Sequence, residues 1–198
     1  MTDANLRRGG RLALTLALAL YGASYARDPS EGGLIDGLNL GIHETGHLVF
    51  GPFGEFIGFA GGTLMQLIMP LVFMGYFLRR RDRHAATVAL WWVAQNLWNI
   101  SVYVADARAE ELPLVGGGEH DWAYMLGRLG WLARDTAIAR GVYQWGIVLF
   151  GIATALGVLF AFQSGAAEPG EGEAMASAST ATVAPIAPGA RPPNADAA

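Results

Sequence analysis

The chain contains no cysteine and no lysine. The first absence excludes disulfides, thiolate zinc sites, iron–sulfur clusters and cysteine nucleophiles, so any bound metal must be held by histidine and carboxylate. Charge of either sign is also scarce. Asp, Glu, Lys and Arg make up 15% of the 198 residues, against about a quarter in a soluble domain. That composition argues against a cytosolic globular enzyme. The net charge of −4 argues against a nucleic-acid partner, which would need a basic face.

What the chain does have is apolar length. Leu12 to Ala26 follows Arg7, Arg8 and Arg11 and reads either as a cleaved signal peptide or as a short membrane anchor. The anchor is the better fit, because the later runs imply a protein built in the bilayer. Ile57 to Leu78 is long enough to cross about 30 Å of hydrocarbon. It is closed by Arg79-Arg80-Arg81-Asp82-Arg83, a cluster that the positive-inside rule places in the cytoplasm. Ala85 to Ala105 is rich in tryptophan and carries Gln95, Asn96 and Asn99, while Gly141 to Phe162 opens with Tyr143 and Trp145 like an interfacial aromatic belt.

Two segments are less apolar. Leu38–Phe53 is interrupted by glycine, and Tyr124–Arg140 alternates apolar residues with Arg128, Arg134, Asp135 and Arg140, as an interfacial amphipathic helix would. The expected fold is an all-α, polytopic integral membrane protein with about four transmembrane helices. A buried or re-entrant motif helix and the interfacial helix complete it. Residues 1–11 form a cytoplasmic N-terminus and residues 12–162 a membrane domain with a metal site. Residues 163–198, dominated by Ala, Pro and Gly, form a disordered tail.

Parity constrains the motif segment. Residues 27–36 are expected outside and residues 79–83 inside, and one crossing already separates them. Leu38–Phe53 must therefore enter and return on the outer side, or lie buried against other helices. Gly51-Pro52-Phe53-Gly54 is a credible break for such a return.

That segment holds His43-Glu44-Thr45-Gly46-His47, the pattern H-E-x-x-H. On a helix, positions i and i+4 share a face, so two imidazoles can reach one ion at about 2.0–2.1 Å. Glu44 then stands beside the ion rather than on it, placed to take a proton from water and return it to a leaving group. Ionisable residues in an apolar segment usually mark function.

A catalytic zinc takes three protein ligands and keeps one position open. Asp106 and His120 are the expected alternatives for the third, both on the same outer side as the motif. Asp121 is expected either to orient a histidine ring or to cap the helix that begins at Trp122. His84 lies within the arginine cluster on the opposite side and is set aside. Glu55 is a further ligand, a gate residue or a solvated interfacial carboxylate. Gln66, Gln95, Asn96 and Asn99 are expected to hydrogen-bond across helices, and Gly61-Gly62 to allow close helix contact.

The H-E-x-x-H on an apolar segment, with Asp106 on a later one, resembles the site-2 protease class of intramembrane zinc metalloproteases. A bacterial membrane family similar to that class by motif alone fits equally. The resemblance covers residues 38–106, and its specific part is the motif. It implies that His43, His47 and Asp106 bind Zn2+ and that Glu44 is the general base. The substrate would be a membrane protein or peptide, and the location a bacterial inner (plasma) membrane. Two alternatives remain open. One is a membrane metalloenzyme, with iron or a two-metal site, acting on a lipid or small apolar molecule. The other is a non-catalytic metal-binding protein.

Overall fold

The computed structural model describes residues 3–113 and 118–163, which form six α-helices and no strand. Of the tail expected over 163–198, everything from residue 164 on lies outside the described residues. The helices are α1 (Asp3–Arg27), α2 (Asp36–Phe50), α3 (Glu55–Arg79), α4 (Arg83–Ala105), α5 (Asp121–Arg128) and α6 (Asp135–Gln163). Each of the four expected apolar stretches falls within one of α1, α3, α4 and α6. Two helical segments, Glu55–Arg79 and Leu132–Gln163, are long and apolar enough to cross a membrane. Arginines in α1 and the amides of α4 lower the hydropathy of the other two.

The centre of the molecule is α4, flanked by α1, α3 and α6. Asp82 caps it, accepting from the Ala85 N–H at 3.1 Å, and is held in turn by Arg11 of α1 at 3.3 Å. Beyond this cap, Trp98 is fully buried and Trp91, Ile100 and Val104 nearly so. Glycines on the neighbouring helices make room for these rings. A Cβ at Gly146 would strike the Trp98 indole, and one at Gly22 would strike Trp91 and Phe150. Small residues at crossings let backbones approach closely, the usual packing mode of helices in lipid. The far end of α4 is tied to α6 by Arg108, which donates to buried Asp135 at 2.7 Å.

Buried amides and exposed aliphatic side chains occur together in this bundle. Gln95 and Asn96 are 0% exposed, whereas Leu20 is 76% and Val72 61% exposed. The buried amides are fully engaged. The Trp92 indole donates to Asn39 (2.9 Å), Asn39 to Gln95 (2.7 Å), and Gln95 to Asp36 (2.7 Å), which also accepts from the Tyr25 hydroxyl. This chain fastens the start of α2 to α4 and α1, as the cross-helix reading of these amides requires.

A tight turn returns the chain from α2 to α3. Gly51–Phe53 forms one turn of 3-10 helix, and Gly54 follows at φ 107°, a conformation open to glycine. The two helices then run antiparallel with Gly46 against Gly61, where a Cβ on either residue would strike the other's main chain. The amphipathic helix expected over Tyr124–Arg140 is not continuous. It breaks at Gly130, φ 68°, and a 3-10 turn at Leu132–Arg134 leads into α6. Only its first part survives as α5. Its last residues are the opening turns of α6.

Candidate metal centre

His43 and His47 lie one turn apart on α2 and face α3, their ring centroids 4.8 Å apart. Both can do so because α3 presents glycine there. A Cβ at Gly62 would overlap the His43 ring, and the Gly46–Gly61 contact brings the backbones together one step along. Gly61-Gly62 thus does more than allow packing: it is the bed on which the motif lies.

The third group is Asp121, the first residue of α5. Its Oδ2 lies 2.9 Å from His43 Nε2 and 3.2 Å from His47 Nε2. One potential ligand atom from each residue falls within 4.8 Å of the other two. The rear nitrogens of both rings are engaged: His43 Nδ1 is 2.8 Å from Gln66 Oε1, and His47 Nδ1 is 2.8 Å from the Gly58 carbonyl. A carbonyl only accepts, so His47 carries its proton on Nδ1. When neutral, it therefore turns a bare lone pair toward a carboxylate oxygen. Two acceptors facing each other at 3.2 Å need a proton or a cation between them. This donor set, two imidazoles and a carboxylate with their rear atoms hydrogen-bonded, fits a divalent metal such as zinc.

Burial alone would lower the pKa of His43. The hydrogen bonds that the ring donates to Asp121 and Gln66, with the charges of Asp121 and Glu44, outweigh it and raise the pKa above its ordinary value.

Asp106 and His120, expected as alternatives for the third ligand, are not brought into this group. The Asp106 carboxylate accepts the main-chain N–H groups of Glu111 and Leu112, each at 3.0 Å, and closes the turn after α4. His120 is the N-cap of α5: its Nδ1 accepts from the Ala123 N–H at 3.2 Å, while its Nε2 faces Asp106 at 3.4 Å. The pair sets the start of α5 and so the position of Asp121. The cap expected of Asp121 thus belongs to His120, one residue earlier. Only the order of the two side chains at the helix start distinguishes these roles, and the sequence carried no further signal for it.

Glu44 is half-buried and lines a cavity of about 720 Å3 together with His43, His47, Asp121, Glu55 and Tyr103. Its carboxylate stands next to the histidines without joining them. Glu55 opens α3 as an exposed residue at the wall of the same cavity. His84 is at the other end of α4, buried and 2.9 Å from the Thr15 hydroxyl. Comparison with protein-family models, curated proteins and solved structures finds no match to this chain.

Proposed function

We propose that the protein is a membrane-embedded zinc-dependent hydrolase, a metallopeptidase in the manner of the site-2 protease class, with Glu44 as general base. The observation that carries this reading is the convergence of His43, His47 and Asp121 beside a free carboxylate on the wall of one cavity. Bound zinc would polarise a carbonyl and lower the pKa of water to about 7. His43, His47 and Asp121 would hold it, leaving the cavity side open to substrate. Glu44 would take the proton from the attacking water and deliver it to the leaving amine. The 720 Å3 cavity is large enough to seat several residues of an extended chain.

In this reading α1, α3, α4 and α6 span the bilayer, α2 returns on the outer side without crossing, and α5 lies at the interface. Outward leucines and inward amides support it. So does the meeting of Arg11 with Asp82, which brings the start of α1 and the arginine cluster to one end of the molecule.

The test is metal content by mass spectrometry, with cleavage of a panel of transmembrane peptides in proteoliposomes. Wild type should carry one zinc per chain and cleave at least one peptide. Glu44→Gln should keep the zinc and lose about 10²–10⁴-fold in rate. A wild-type protein that stays metal-free after zinc-replete purification ends the proposal. So does a Glu44→Gln variant that cleaves at the wild-type rate.

A further inference from the structure

The two histidines of the centre are backed by different devices. His47 rests on a main-chain carbonyl, which can only accept. His43 rests on the Gln66 side chain, an amide able to face it with either its oxygen or its NH2 group. Which one it presents decides whether His43 Nδ1 must carry a proton, and the groups behind Gln66 decide which it presents.

Gln66 Nε2 lies 3.0 Å from Asn99 Oδ1 and 3.3 Å from Asn96 Oδ1. Asn96 in turn donates through Nδ2 to the main-chain carbonyl of Trp92 at 3.1 Å. That carbonyl is the fixed point. Because it only accepts, Asn96 gives it the NH2 group and turns Oδ1 toward Gln66. Gln66 then gives its own NH2 group to the asparagines and turns Oε1 toward His43. His43 must therefore donate from Nδ1, and its Nε2 then faces the Asp121 carboxylate 2.9 Å away, a pair that needs a proton or a cation between them. Each link has a single solution once the previous one is set. Gln66 is 3% exposed and Asn96 0%, so these links are made within the protein.

We propose that Gln66 and Asn96 are positioning residues that transmit the polarity of the Trp92 carbonyl to His43, holding a proton on Nδ1 so that Nε2 is the atom offered to a metal ion. The relay acts through the imidazole, with Gln66 at the wall of the same cavity. Its value at the centre rests on the zinc reading above. Its existence does not, because the tautomer can be observed without metal.

The test uses the full chain in detergent, stripped of metal and labelled with 15N-histidine, with the His43 signal assigned by difference from His43→Ala and the tautomer read in an Asp121→Ala background, which removes the carboxylate that competes for a proton on Nε2. In that background, with Gln66 intact, neutral His43 should be the Nδ1–H tautomer. Gln66→Met, close in volume but without an amide, should shift it toward Nε2–H and, with Asp121 intact, weaken zinc binding about 10–100-fold in chelator competition. Gln66→Glu places a carboxyl oxygen, an acceptor, opposite His43 Nδ1 in the place of the amide oxygen. It should restore the wild-type tautomer and affinity. Should Gln66→Met fail to fold by circular dichroism, the double variant Asn96→Leu/Asn99→Leu, which removes both acceptors behind the Gln66 amide, carries the same comparison. An unchanged Nδ1–H tautomer in the amide-free variant overturns the relay, as does a Gln66→Glu protein no better than Gln66→Met. Failure of wild type to bind zinc would instead overturn the metal reading, and the tautomer would still decide the relay.

Discussion

Gly62 and the imidazole of His43 occupy one space: a Cβ on Gly62 would overlap Nε2 and both adjacent ring carbons. The position available to a metal is therefore set by the absence of a side chain on a helix that supplies no ligand itself. Gly62→Ala should swing the ring away, abolish zinc binding and lower stability by about 1–3 kcal/mol through overpacking. Gly75→Ala is the control on the same helix, since a Cβ there meets nothing within 4 Å. It should bind zinc as wild type does. Zinc titration and thermal denaturation of both variants decide the matter, and equal zinc affinity in the two would show that the ring tolerates a methyl group.

The third ligand separates the expectation from the structure. Asp121→Ala should lose zinc, whereas Asp106→Ala should retain it, because the Asp106 carboxylate is spent on two main-chain N–H groups. His120→Ala removes the cap of α5 and should weaken zinc binding without abolishing it, costing about 1 kcal/mol of stability. Zinc content measured across the three proteins would expose an error: full occupancy in Asp121→Ala is incompatible with this centre.

Proton and metal compete for His43. Its pKa is raised in the metal-free protein, so the imidazolium paired with Asp121 persists to a higher pH than an ordinary histidine. A raised folded-state pKa gives stability that is fully present below the unfolded value, about 6.5, and lost as pH rises through the folded one. Chelator-treated protein should therefore become less stable as pH climbs past about 6.5, while zinc affinity rises over the same interval. Asp121→Asn should flatten the stability profile. Thermal denaturation at stepped pH is the measurement, and a metal-free wild type indifferent to pH across that interval would contradict the assignment.

The legible part of the site was the part written in local spacing. His43 and His47 are four residues apart on one helix, and a helix alone is enough to put them on one face. The cross-helix role of Gln66, Gln95, Asn96 and Asn99 was legible too, because an amide in an apolar helix has few other places to go. The third ligand was not. Asp106 lies at the end of α4 and looks well placed, but its oxygens are consumed by the turn that follows it. Asp121 reaches the histidines only because His120 starts α5 at one particular point. The broken amphipathic helix shows the same limit. Gly130 sits inside a periodic pattern, and nothing in that pattern declares that it will adopt a positive φ and divide the segment.

His43 and Asp121 are 78 positions apart in the chain. An ion gripping both would tie together two ends of a loop holding α3, α4 and part of α2, shrinking the freedom of the unfolded chain. By loop-closure arithmetic such a cross-link is worth on the order of 4–5 kcal/mol. The centre would then serve as a clasp as well as a reaction site, and the two roles come apart in Glu44→Gln. Adding a chelator to that variant should lower its unfolding temperature by as much as in wild type, although no chemistry is left to lose.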